Sequence, residues 1–128
     1  MPVKGILSFP GDKSISHRAL MLASLSNGVC TVRNLSTGAD VESTRQCLLR
    51  CGVNSERKDG KVVIKGGALG TPESPLQCGN SGTTARLLTG LLAGKGICST
   101  LTGDSSLSKR PMRRIIDPLS TMGALINS

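Results

Sequence analysis

Three stretches of this chain set small residues, hydroxyls and cations where helices are due to begin. Gly11-Asp12-Lys13-Ser14 precedes one apolar run, and Gly79-Asn80-Ser81-Gly82-Thr83 precedes another about 68 residues later. Lys109-Arg110-Pro111 leads into a further run with two full positive charges. The first N–H groups of a helix have no intrahelical acceptor, and the helix dipole adds positive potential at the same end. An anion is therefore favoured at each of these places. Together they point to a site for a small, multiply anionic ligand.

Taken singly, the motifs are weaker. Lys13-Ser14 resembles the end of a P-loop, but Asp12 precedes the lysine and no glycine sits at the spacing of G-x-x-x-x-G-K-[ST], which argues against a nucleoside triphosphatase. Lys13 reads either as a ligand or as a solvated lysine. Arg18 falls five residues later in an apolar run, where a buried guanidinium would need an acidic partner or an anionic ligand.

Composition narrows the class. The 128 residues carry 16 Lys+Arg against 8 Asp+Glu, a net charge of +8. Such a balance fits nucleic acid or acidic small molecules. With one Phe and neither Tyr nor Trp, the chain has no platform on which bases could stack. No apolar run reaches the roughly 18 residues that span a bilayer. The first residues lack the apolar core of a signal peptide, so a cytoplasmic protein is expected. The five cysteines, Cys30, Cys47, Cys51, Cys78 and Cys98, form no C-x-x-C pair and share one histidine. That pattern fits reduced, packed thiols better than a zinc site.

The elements that must carry these motifs follow from periodicity. Val3 to Phe9 reads as a short strand ending at Pro10. Ser14 to Ser26 reads as a helix apolar on almost every side, stopped by Asn27-Gly28. Val29 to Leu35 alternates and reads as a strand. Asp40 is read as the cap of a second helix, the alternative being a pair with a site cation. Val41, Thr44, Leu48 and Cys51 follow at helical spacing, and Gly52 ends it. Residues 53–57 and 61–65 form a hairpin about Asp59-Gly60, and Gly66 to Pro75 is a loop.

The order then recurs. Thr83 to Ala93 is a helix ended by Gly94, Ile97 to Thr102 is a strand, and Pro111 starts a helix with Ile115, Ile116, Leu119 and Met122 on its apolar face. Gly123 stops that helix. Arg18 and Arg86, like Cys30 and Cys98, are separated by about 68 residues, while Gly52 and Gly123 differ by about 71, which implies duplicated units with a short insertion. The second copy reaches Ala124-Leu125-Ile126 where its hairpin should begin, so the chain reads as cut, with an unpaired strand edge expected there.

Taken together the motifs are specific. Gly-Asp-Lys-Ser-Ile-Ser-His-Arg-Ala at 11–19, Gly-Asn-Ser-Gly-Thr-Thr-Ala-Arg at 79–86 and Gly-Asp-Ser-Ser-Leu-Ser-Lys-Arg-Pro-Met at 103–112 closely resemble the N-terminal part of the EPSP synthases (3-phosphoshikimate 1-carboxyvinyltransferases). The resemblance implies an α/β fold of repeated βαβαββ-type units with buried helices and outer sheets, three per lobe and two lobes per enzyme. One and a half to two units would be present here. Residues 1–10 would be an opening strand of the second lobe. Residues 11–128 would form a partial shikimate-phosphate-side lobe, with unit one at about 11–66 and a truncated unit two at about 76–128.

The same resemblance implies a reaction without metal, cofactor or covalent intermediate. The 5-hydroxyl of shikimate 3-phosphate adds to the central carbon of phosphoenolpyruvate, and phosphate leaves, in the route to chorismate and the aromatic amino acids. Both substrates carry a phosphate and a carboxylate, so cations and helix N-termini must hold like charges together. By position, Lys13 matches the lysine that touches both substrates. Ser14 and Arg18 match ligands of shikimate 3-phosphate. Gly82 and Arg110 match the phosphoenolpyruvate side, where a side chain on residue 82 would crowd the pocket and a guanidinium fork suits the anion. Asn80 and Arg86 are expected in support, His17 as a packing or hydrogen-bonding residue, and Lys109 as a solvated neighbour.

A related family transfers enolpyruvyl to UDP-N-acetylglucosamine. It has Lys-Asn where this chain has Lys13-Ser14, and a reactive cysteine where this chain has Ser105. Both departures favour the shikimate enzyme. The other alternative is a non-enzymatic anion- or nucleic-acid-binding domain. The resemblance further implies that the acid–base carboxylates and several Lys/Arg ligands come from a second, C-terminal lobe of the same protein, with Lys13 only supporting catalysis here. Neither nucleic acid nor membrane is expected as a partner, and the intact enzyme is expected to be a monomer. The isolated chain is accordingly predicted to be inactive: phosphate release from the two substrates should stay at the uncatalysed level, and steady turnover by the pure chain would overturn that expectation.

Overall fold

The computed structural model describes residues 2–128. Its order is α1 (Lys13–Leu25), β1 (Val29–Arg33), α2 (Ala39–Arg50), β2 (Asn54–Lys58), β3 (Lys61–Lys65), β4 (Leu76–Gln77), α3 (Gly82–Gly94), β5 (Leu101–Thr102) and α4 (Arg113–Thr121), with a 3-10 turn at Leu107–Lys109. β3 lies between β1 and β2, antiparallel to both, while β4 and β5 form a separate parallel pair. Asp59 and Gly60 both take positive φ (49° and 69°), the geometry of a turn whose twist matches the strands it joins.

The sheet is amphipathic by alternation. Val62 and Ile64 of β3 point inward and are buried, and Cys30 and Val32 of β1 pack beside them. Leu20, Val41, Leu48, Leu88 and Leu92, all at most 2% exposed, bring α1, α2 and α3 into one core against this face. The buried positions of α1 recur in α3 at a constant interval: Ser16 with Thr84, His17 with Ala85, Leu20 with Leu88, Ser24 with Leu92.

Several expectations change. Residues 3–9 form no strand: Val3, Ile6 and Phe9 are exposed, and no neighbouring edge among the described residues receives their backbone groups. α1 is not covered all round, because Ile15, Arg18, Leu22 and Leu25 make an exposed stripe at helical spacing. Gly38, not Asp40, is the residue that caps α2, and Asp40 lies in the first turn. The strand expected over 97–102 shortens to β5. In the first unit β1 has the whole of β3 to pair with, whereas β5 meets only the two residues of β4. α3 runs on through Gly94 and is ended by Gly96 at φ 66°. α4 starts at Arg113, two residues beyond Pro111, after the 3-10 turn has used Lys109.

One backbone approach fixes the loop before α1. Gly11 lies against the carbonyl of Asn34 at the end of β1, so a Cβ there would collide with main chain. Ser16 Oγ strengthens the junction by accepting from the Ser36 N–H at 3.0 Å. Gly11→Ala is therefore expected to lower stability by about 1–3 kcal/mol, the usual cost of forcing an extra group into a packed place. Gly5→Ala, where nothing lies within 4 Å, should be neutral in the same urea titration.

Candidate functional site

The N-terminal ends of α1, α2 and α3 converge. Asp12 caps α1, its carboxylate accepting from the Ile15 N–H at 2.7 Å. Ser81 caps α3, its Oγ accepting from the Thr84 N–H at 3.1 Å. Each cap satisfies one free donor and leaves others facing outward. Lys13 on the first residue of α1 forms an ion pair with Asp40 in the first turn of α2. Asp40 thus pairs with a cation rather than capping α2, and the physical reason is local. Gly38 takes the extended cap conformation and frees the Asp40 carboxylate to turn toward Lys13.

Below this surface runs a buried polar chain. His17, Thr44, Ser81 and Thr84 are all 0% exposed. His17 Nδ1 lies 2.7 Å from Thr44 Oγ1, which lies 2.8 Å from Thr84 Oγ1. Thr84 Oγ1 is also 2.7 Å from Ser81 Oγ and donates to the Asp40 carbonyl at 3.1 Å. Among the described residues, His17 Nε2 is buried without a partner. Burial holds the His17 imidazole below its ordinary pKa of 6.5; Asp40 opposes that shift and Lys13 adds to it. Sequence periodicity could place these residues inside but not join them, because threonine and serine read as neutral in a hydrophobic pattern.

The second cluster surrounds Gly82. A Cβ built there would lie 2.6 Å from Arg86 Nη1 and 3.3 Å from Arg110 Nη1, so two guanidinium groups close over the bare first residue of α3. Arg86 Nη2 donates to the Pro111 carbonyl at 3.3 Å, while its Nε is buried and unpartnered. Arg110 Nη2 donates to Asn80 Oδ1 at 2.8 Å, and Asn80 Nδ2 donates to both Asp104 oxygens, at 3.1 and 2.9 Å. Asp104 also accepts from the Leu107 N–H at 2.8 Å. These hydrogen bonds, the Leu107 one foremost, hold its carboxyl below the usual range. Asp104 belongs to this cluster and was given no role from the sequence, although an aspartate three residues before a turn N–H is the usual sign of a capping role.

Of the residues singled out in the sequence, Lys13, Asn80, Gly82, Arg86 and Arg110 thus stand on the helix-start side of the fold within two connected clusters. Ser14 is exposed on the first turn of α1. Arg18 is exposed and, among the described residues, meets no carboxylate within ion-pair distance. The partner expected for it is not required, because it lies on the uncovered stripe of α1. There it borders a groove of about 450 Å³ with Leu22, Leu25, Leu87 and Leu91. Cys47, Cys51 and Cys78 are packed in the core, where burial pushes the Cys51 thiol up to about 11. No described helix is long and apolar enough to cross a membrane.

Comparison with known proteins gives a consistent result. The family model described as EPSP synthase (3-phosphoshikimate 1-carboxyvinyltransferase) matches residues 1–128. The 3-phosphoshikimate 1-carboxyvinyltransferase of Salinibacter ruber (strain DSM 13855 / M31) is 49% identical over 129 residues, covering 98% of this chain and 30% of that protein. The protein of the same name from Bacillus subtilis (strain 168) is 49% identical over 126 residues, covering 96% and 29%. The solved EPSP synthase of Acinetobacter baumannii superposes with a TM-score of 0.91 at 44% identity over 97% of this chain and 29% of that one. The chain therefore spans about 30% of the length of the curated relatives it matches.

The burial of neutral His17 has a thermodynamic consequence. The unfolded chain takes up a proton near 6.5 and the folded chain does so only at lower pH, so the unfolded state binds more protons between the two values. The contribution of His17 to stability is complete above pH 6.5 and is lost as the pH falls through its folded value. In urea titrations from pH 7.5 downward, His17→Gln is expected to have a lower midpoint at neutral pH. It should also show a flatter fall with acid than the parent. Parallel pH profiles would contradict a buried neutral imidazole.

Proposed function

The chain belongs to the EPSP synthase (3-phosphoshikimate 1-carboxyvinyltransferase) family; from that premise we propose that it forms the shikimate-3-phosphate-facing part of an enolpyruvyl transferase site. In this reading Lys13 bridges shikimate 3-phosphate and phosphoenolpyruvate, Ser14 and Arg18 bind shikimate 3-phosphate, and Gly82 with Arg110 receives phosphoenolpyruvate. Asn80 and Arg86 hold that second pocket in shape. The acid–base groups and the remaining cationic ligands are assigned to the part of the relatives outside the matched share. The opening residues 1–10 are assigned to a second lobe, and residues 11–128 to one and a half to two units of the first. The intact protein is read as a cytoplasmic monomer without a nucleic-acid partner.

The observation that carries the reading is the cradle at Gly82. Two guanidinium groups lie within reach of one bare helix start, with only neutral oxygens as their acceptors among the described residues. Like charges at that distance repel, and the helix dipole has the same sign there. A dianion placed over Gly82 relieves both, and the missing Cβ leaves it room. Lys13 and Asp40 stand across the α2–α3 junction, where an incoming anion would share the ammonium group with the carboxylate.

A ¹⁵N-NMR titration of the chain with shikimate 3-phosphate tests this. Amide shifts are expected at Lys13, Ser14 and Arg18, and addition of phosphoenolpyruvate should extend them to Gly82 and Arg110. Lys13→Ala is expected to abolish the response. A dispersed spectrum that does not move at millimolar ligand would refute binding by this chain. A nucleic-acid-binding domain would instead show a salt-dependent affinity for DNA or RNA whose slope Lys13→Ala lowers by about one.

A further inference from the structure

Thr84 Oγ1 has three polar neighbours, and a hydroxyl has one proton and two lone pairs. The Asp40 carbonyl can only accept, and Ser81 Oγ accepts as well, so the Thr84 proton is shared between these two acceptors. Thr44 must then donate to Thr84 Oγ1. With its proton spent, Thr44 Oγ1 can only accept from His17, so Nδ1 of the imidazole carries the hydrogen. Nε2 is left as a bare lone pair, which agrees with its lack of a partner and costs less than an orphaned N–H. One direction of donation satisfies every contact: His17 to Thr44, Thr44 to Thr84, Thr84 to Ser81 and to the backbone of Asp40.

We infer that His17, Thr44 and Thr84 are positioning residues: their one-way hydrogen-bond chain locks the cap of α3, and with it Gly82, to the Lys13–Asp40 pair. The geometry ties the parts together directly. The chain begins on α1 four residues from Lys13, crosses α2 at Thr44, and reaches Thr84, whose N–H and hydroxyl both meet the Ser81 cap next to Gly82. It ends on the main chain of Asp40, the residue that holds Lys13. All of it lies out of water, where an unmade hydrogen bond is costly and the arrangement is stiff. Charged groups acting on the imidazole are Lys13 from its own helix and Asp40 from α2. The claim that the lock serves substrate binding rests on the reading under Proposed function; the lock itself does not.

Thr84→Val removes the branching hydroxyl at nearly constant volume, and Thr84→Ser keeps it. In the ¹⁵N spectrum without ligand, Thr84→Val is expected to move the amides of Lys13, Gly82 and Thr83 and to speed hydrogen exchange at Gly82, with Thr84→Ser restoring both. Imidazole ¹⁵N shifts of the parent should show the Nδ1–H form. Affinity for shikimate 3-phosphate should fall at least tenfold in Thr84→Val and recover in Thr84→Ser. Leu92→Ala, a core change at the far end of α3, should lower the melting temperature without that loss. An Nε2–H imidazole, or unmoved Lys13 and Gly82 amides in Thr84→Val, would overturn the lock. Equal affinity losses in Thr84→Val and Leu92→Ala would reduce it to general stability. If the parent binds no shikimate 3-phosphate, the functional reading fails while the ligand-free spectra still decide the lock. Should Thr84→Val not fold, Thr44→Val cuts the same chain at the His17 link and is read the same way.

Discussion

Thr84 is where three helices are obliged to agree. Its side chain meets the cap of its own helix, a hydroxyl from the middle of α2 and a carbonyl from the first turn of α2, and the hydroxyl it meets is held from α1. Apolar packing around Leu20, Leu48 and Leu88 supplies most of the cohesion of this region but little direction, since hydrophobic contact tolerates sliding and rotation. Hydrogen bonds of fixed length in a dry interior do not. The polar chain therefore adds what the core lacks, a single relative placement of the three helix starts. The charged groups above inherit their positions from it.

That placement produces an electrostatic arrangement that is unfavourable by itself. Arg86 and Arg110 close over a helix N-terminus, so three positive ends share a small volume at Gly82. The fold supports this because the groups remain partly hydrated and the two guanidiniums find neutral oxygens, on Pro111 and Asn80. Glycine is required by space: its bare Cα is what lets both groups approach. Residue type, helix end and charge are thus one device, and changing any of them alters the others.

How much of this was legible in the sequence depends on which force sets each feature. The hairpin was readable because Asp59-Gly60 is a local conformational preference and β2 and β3 need only each other. The second helix was readable from the spacing of Val41, Thr44, Leu48 and Cys51. The strand expected at 3–9 has the right alternation, but a strand exists only against a neighbour, and alternation does not name one. β4 and β5 pair over two residues, too few to leave a period. Asp40 was misjudged as a cap because capping is assigned from side-chain type, while Gly38 performs it with none. The motif residues around 11–19, 79–86 and 103–112 were all picked out. What joins them was not legible, since the hydrogen bonds of Thr44 and Thr84 to each other and to His17 and Asp40, and of Asp104 to Asn80, span 24 to 44 residues and arise only from tertiary contact.

Asn80 differs from the other links in carrying no charge. Its carbonyl faces Arg110 and its amide faces Asp104, so it stands between a cation and an anion and keeps them out of direct contact. Lys13 has no such spacer and is already committed to Asp40. The two cations are therefore unequal from the viewpoint of an arriving anion. At Arg110 a neutral acceptor must be displaced and Asp104 acts only from beyond ion-pair distance, whereas at Lys13 a carboxylate competes in direct contact. A primary amide set between opposite charges keeps one of them in reserve.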